Sequence, residues 1–233
     1  MVNRPEHLSL EDQLRASRAT DILAVCRNAI AKLKADDSLR AELLATEMLF
    51  SGLKTEGISY LRKLESVEPD VRPGLAAKLS MAYELVGDNR QAQQWGREYL
   101  RRDPEARDGS GWLLQLILSA KVKIAEDPAW LKSHHVLEID AKSLRNPEFS
   151  IKMGDQVLNK RDIQGALFAQ LKDRMMWVKP RDPVVADLLY IFALVERSAD
   201  APESAAKLLD FAPEYGYSVP PLMQVEFQAQ AGR

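Results

Sequence analysis

The chain has 233 residues, 46% of them hydrophobic and 28% charged, with a formal net charge of −2. Lys and Arg total 32 against 34 Asp and Glu, so the composition offers no concentrated basic charge for capturing nucleic acid. Cys26 is the only cysteine, which excludes an intramolecular disulfide, leaves packing to hold the fold and fits a reducing compartment.

After a loop at Pro5, Leu10 and Leu14 give a thin apolar edge to a short helix starting near Ser9. Ile22, Val25, Cys26, Ala29, Ile30 and Leu33 then form one stripe of a helix over residues 21–34. Together these predict a first, degenerate helix pair. The next pair opens near Ser38, with Leu39, Leu43, Leu44, Met48 and Leu49 on a helix that stops at Gly52. Thr55 is expected to cap its second helix, which carries Ile58, Leu61 and Leu64 and ends before Pro69. Residues 73–104 give the clearest unit. Leu75, Ala76, Leu79, Tyr83 and Val86 line a first helix ended by Gly87, since glycine takes the left-handed conformation at low cost. Asp88 caps the second, with Gln91 three places on, and Ala92, Trp95, Tyr99 and Leu100 line it up to Pro104. Gly52, Gly57 and Pro69 each lie 35 residues before Gly87, Ala92 and Pro104.

A loop over 105–111 leads into a helix over 112–127. Residues 128–140 read as a distorted or shortened helix, with 136–140 capable of extension. From Asn146-Pro147 a helix is predicted through Phe149, Ile151, Met153, Gly154, Val157 and Leu158. Asp162 then caps a helix with Ile163, Ala166, Leu167, Leu171 and Met175 inside. Asp182 before Pro183 is an N-cap followed by proline at the first helical position, with Leu188, Leu189, Phe192 and Val195 on the buried side. Pro202 opens a helix with Ala205, Leu208 and Leu209, and residues 222–231 read as a closing helix. No segment shows a clear strand period.

The order of Leu75, Tyr83, Gly87-Asp88, Ala92 and Pro104 resembles a tetratricopeptide repeat, a helix–turn–helix unit of about 34 residues. Trp112 falls where that family favours tryptophan, and Gly154 and Ala166 where it places a first-helix glycine and a second-helix alanine. Met48 and Gly57 depart from it, standing where the best unit has Tyr83 and Ala92. The resemblance implies an all-α, right-handed α-solenoid of stacked antiparallel helix pairs, about 11–13 helices, closed by a capping helix. Residues 1–107 and 147–233 are expected as N- and C-terminal repeats, with 108–146 an irregular helical connector or degenerate repeat. In such a solenoid the first helices form the concave wall. The family's inward positions then fall on Thr46, Leu49, Phe50, Ala77, Met81, Leu85, Leu113 and Ile117, and later on Ile151, Asp155, Leu158, Tyr190 and Leu194. The first eight make a mostly apolar groove that suits a partner's helix or extended segment, and Met81 suits adaptable contacts. The implied function is a non-enzymatic protein–protein interaction scaffold. A dedicated chaperone or assembly factor for a secretion or envelope component is the alternative. The expected partner is another protein, with a homodimer allowed and nucleic acid not expected.

No apolar run reaches the roughly 18–20 residues that cross a bilayer. Residues 1–13 carry no apolar signal core, so a cytoplasmic location is the default expectation. Catalysis through Cys26, His134 or His135 is the less favoured reading. Cys26 sits within an apolar stripe, and adjacent histidines on a helix point about 100° apart and cannot jointly clasp a metal. Neither an HExxH nor a CxxC spacing occurs, and Gly109-Ser110-Gly111 lacks a Walker lysine. No catalytic, cofactor or metal residue is expected. The runs Arg97, Arg101, Arg102, Arg107 and Lys172, Arg174, Lys179, Arg181 read as solvated helix ends.

Overall fold

The computed structural model describes residues 38–67, 73–106, 109–177 and 181–216, together with Ala24, Asn28, Ala29 and Lys32. Apart from those isolated positions, the expected first helix pair, with Cys26, lies outside the described residues, as does the closing helix over 222–231. The chain divides into two compact units, Met1–Asp103 and Pro104–Arg233. Among the described residues there are eight α-helices and one two-stranded sheet.

The N-terminal unit holds α1 (Ser38–Phe50), α2 (Lys54–Val67), α3 (Pro73–Leu85) and α4 (Asn89–Arg102). Both α3 and α4 begin and end 35 residues after α1 and α2. The turns repeat as well. Gly52 and Gly87 take φ of +90° and +80°. Leu53 N–H donates to Met48 O (2.9 Å), and Asp88 N–H donates to Tyr83 O (3.0 Å), which is the reach of a Schellman closure. Asp88 then accepts from Gln91 N–H at 3.1 Å and caps α4. Thr55 does not cap α2. It lies within the helix, and Leu53 holds the position equivalent to Asp88.

A close contact between α1 and α2 explains why glycine stands at position 57. A Cβ at this position would stand 2.7 Å from Leu49 Cδ2 and 2.9 Å from the carbonyl oxygen of Ala45. The helix-propensity loss is offset by close approach of α1 and α2. At the equivalent contact in the next hairpin, Ala92 is buried and its carbonyl accepts the Ser80 hydroxyl at 2.8 Å. Ala45, Leu49, Leu61, Leu75, Leu79 and Ala82 form the buried cluster, with Ile58, Leu64, Met81 and Trp95 among the partly buried residues against it. Two ion pairs tie successive hairpins: Lys78 to Glu42 at 2.8 Å, and Arg102 to Glu65. Arg102 also pairs with Glu98. Arg102 is thus a buried, paired cation rather than a solvated helix end, and the Glu65 carboxylate pushes its pKa further up.

The C-terminal unit holds α5 (Gly111–Glu126), an irregular stretch, a hairpin of β1 (Ser150–Met153) and β2 (Gln156–Asn159), and then α6 (Lys160–Trp177), α7 (Pro183–Ser198) and α8 (Pro202–Phe211). Every residue of α7 from Val184 to Glu196 is buried, and α5, α6 and α8 all pack on it. Asp182 caps α7 by accepting from Val184 and Val185 N–H. Val136, Leu137, Ala141 and Leu144 of the irregular stretch belong to the same core as Leu113, Ile163, Leu167 and α7, so residues 111–146 build the unit rather than connect two others. Arg174 is buried too, unlike the solvated end read for it.

The hairpin replaces a predicted helix. Ser150 pairs antiparallel with Asn159, and Met153 with Gln156. Gly154 (φ +60°) takes the first central place of a two-residue turn, where a type II′ geometry needs glycine. Phe149, Ile151 and Met153 recur every second residue, which is a strand period rather than a helical one. Residues 136–140 form no strand, and helical character over 128–140 is limited to a single 3₁₀ turn at Trp130–Lys132.

Candidate binding surfaces

Five of the eight expected groove positions lie on the first helices of the N-terminal unit with some exposure to solvent. Phe50 is 50% exposed, and Thr46, Ala77, Met81 and Leu85 are half-buried. Thr46 and Met81 hold equivalent places on α1 and α3, as do Phe50 and Leu85, because the helices repeat at 35 residues. The Thr46 hydroxyl donates to Glu42 O at 2.8 Å, which satisfies it within its own helix. Lys54 Nζ donates to the Leu85 carbonyl at 2.9 Å and closes the end of α3.

Leu49, Leu113 and Ile117 do not line an open groove. Leu49 is buried against α2 at the Gly57 contact. Leu113 and Ile117, one turn apart on α5, are buried in the core of the other unit. Of the later positions, Leu158, Tyr190 and Leu194 are likewise buried, Ile151 is half-buried on β1, and Asp155 sits in the hairpin turn.

The histidines lie in irregular backbone, so the helical argument for their separation does not apply. Their environments nonetheless separate them. His134 stacks on Trp130 at 4.9 Å and 3°, with Lys123 over the same indole at 5.0 Å. His135 Nδ1 pairs with Asp187 Oδ1 at 2.7 Å, which places the proton on Nδ1 because a carboxylate only accepts. Asp187 Oδ2 accepts from Val136 N–H at 2.7 Å, and the imidazole lies over Tyr190 at 5.8 Å. Beside this pair is a cavity of about 320 Å³, with His135, Glu138 and Asp140 on one wall and Tyr190, Ile191 and Leu194 on the other. The Ser143 hydroxyl, then the Lys142 amide, hold the Asp140 carboxyl below its usual range. Asp187 would otherwise be an unpaired charge on a fully buried helix, and its two bonds fasten the irregular stretch to α7. Among the described residues no cluster of three or more His, Cys, Asp or Glu is placed to hold a metal. Ser110, in the Gly109-Ser110-Gly111 loop, is buried and accepts from Gln170 Nε2 at 3.1 Å.

A second surface escaped the sequence reading. A cleft of about 870 Å³ is lined by Trp112 of α5, Val157 of β2 and Phe168 of α6, among others. Val157 and Phe168 are 68% and 59% exposed. The available signal was the four-three-four spacing of Arg161, Gly165, Phe168 and Lys172, which puts them on one face of α6.

No protein-family model matches the chain, and comparison with curated proteins and with solved structures found no match. No helix among the described residues is long and apolar enough to cross a membrane.

Proposed function

We propose that this chain is a non-enzymatic helical-repeat scaffold that binds a segment of another protein on the first-helix face of its N-terminal unit. The carrying observation is the 35-residue recurrence of α1–α2 in α3–α4, which gives Thr46 and Phe50 counterparts in Met81 and Leu85. Stacked hairpins turn equivalent positions into a continuous surface. Phe50 leaves half its side chain in water, and covering it contributes about 1–2 kcal/mol at roughly 25 cal/mol per Å². Membership of the tetratricopeptide family and a right-handed stack belong to the same proposal. So does a cytoplasmic setting, which suits a single-cysteine chain.

The test is partner capture with variants of this face. Met81→Arg and Phe50→Glu should each lose a partner that the wild-type chain recovers after crosslinking, with helical circular dichroism unchanged. A variant that still recovers it removes the groove assignment.

A further inference from the structure

We infer that the cavity between the irregular stretch and α7 is a binding site for a small organic ammonium, a cation carried on a compact apolar body. Its volume of about 320 Å³ lies at the lower end of the range of small-molecule sites. Leu144, Ile191 and Leu194 are buried and give it an apolar floor. Tyr190 adds an aromatic ring, a group that attracts cations over its face. Glu138 and Asp140 lie two positions apart, are both exposed, and put two carboxylates at the open side.

Charge selects the ligand. No Lys or Arg lines the cavity. His135 brings no net positive charge, because its imidazole pairs with Asp187 at 2.7 Å. Protonated, it is matched by that carboxylate; neutral, it leaves the carboxylate's charge standing. Glu138 accepts from His135 N–H at 2.8 Å, and such a bond leaves its charge in place. Asp140 accepts from the Ser143 hydroxyl at 2.7 Å and from the Lys142 and Ser143 amides at 3.2 and 3.1 Å. Those bonds favour its ionised form. Lys142 stands near Asp140 but outside the lining, and one cation against two carboxylates still leaves the site negative. A bare metal ion finds too few ligands, since among the described residues no three His, Cys, Asp or Glu are placed to hold one. An anion is repelled, and a neutral molecule gains little from the carboxylates. The match is an ammonium at Glu138 and Asp140 with its apolar body against Tyr190, Ile191 and Leu194.

NMR titration of the isotope-labelled full chain tests this with probes of one shape: 2-phenylethylamine, the neutral 2-phenylethanol and the anionic phenylacetate. The amine should bind about tenfold tighter than the alcohol or better, with phenylacetate the weakest, and the difference should shrink in about 0.5 M NaCl. The double variant Glu138→Gln, Asp140→Asn keeps the side-chain shapes and should bring the amine to the alcohol's affinity. Ile139→Trp, at a half-buried lining position, should fill the cavity and weaken amine and alcohol alike by about tenfold. Circular dichroism checks that the variants fold. Absence of amine binding at millimolar concentration, equal binding of the probes, or a preference that survives the double variant would overturn the proposal. So would amine binding untouched by Ile139→Trp, which would place the ligand elsewhere. A short Lys-containing peptide bound about a hundredfold tighter than the amine would also overturn it, assigning the cavity to a side chain of a protein partner.

Discussion

In the N-terminal unit every helix keeps one side at least partly open to solvent, whereas in the C-terminal unit α7 is buried from Val184 to Glu196. The difference follows from how apolar residues are distributed. Helix α4 sets Ala92, Gly96 and Tyr99 on its buried side, flanked by the half-buried Trp95 and Leu100, with polar residues on the rest, so it packs in one direction and the hairpin can be repeated. Helix α7 is mostly apolar and buried around its whole circumference from Val184 to Glu196, so it needs neighbours on every side. It takes them from α5, α6, α8 and the irregular stretch, and that arrangement does not propagate. Charged groups on such a helix must be matched where they stand, as Asp187 is by His135 and Val136, and Glu196 by Gln164.

The contrast breaks most visibly at the cores. Leu188→Ala, at a fully buried position on α7, should cost about 3–4 kcal/mol in urea unfolding, whereas Leu43→Ala on the exposed side of α1 should cost under about 0.5 kcal/mol. Similar losses at the two sites would contradict the contrast. Glu65→Ala comes next. It strips Arg102 of its principal partner in a nearly dry site and should cost about 2–3 kcal/mol, less than a sole partner would because Glu98 remains. A neutral result would mean that the pair between hairpins adds nothing.

Two helical glycines sharpen the comparison through their sign. Gly57→Ala should destabilise by about 1–2 kcal/mol, because overpacking against Leu49 and the Ala45 carbonyl outweighs the propensity gain. Gly165→Ala, with open space around it, should stabilise by about 0.5–1 kcal/mol. Thermal melts giving the same sign for both would refute the close-approach account. The smallest effect is at Asp140. Its carboxyl is held low in the folded state, so its contribution is present above the ordinary value of about 3.9 and fades as pH falls through the folded value. Asp140→Asn should flatten the acid side of the stability profile and leave its neutral limb parallel to wild type. An unchanged acid limb would deny that role.

Legibility in the sequence tracks the same divide. Gly52, Gly87, Gly57 and Ala92 punctuate the N-terminal unit because a left-handed turn and a close helix contact each restrict which residue fits. Their 35-residue spacing could therefore be read directly. The hairpin was missed because its period-two run, Phe149, Ile151 and Met153, is short, and because Gly154 and Ala166 mimic the family's glycine–alanine interval. Gly154-Asp155 was the turn signal to weigh. The pairing of His135 with Asp187 spans 52 positions, and no local period announces such a contact. Leu113 and Ile117 fall on the inward positions that the family resemblance implies, but which side of α5 its neighbours cover depends on tertiary packing. The α6 face could be read only once β2 and α5 were known to flank it.

The central claim is that a partner protein meets the first helices of the N-terminal unit rather than the second. Site-specific photocrosslinking tests it at two well-exposed apolar positions, Phe50 at the end of α1 and Val67 (70% exposed) at the end of α2. With a photoreactive phenylalanine at each position in turn and exposure in the native cell, adducts to a single partner should form from position 50 and not from position 67. Adducts from position 67 alone, or in equal yield from both, would contradict the account.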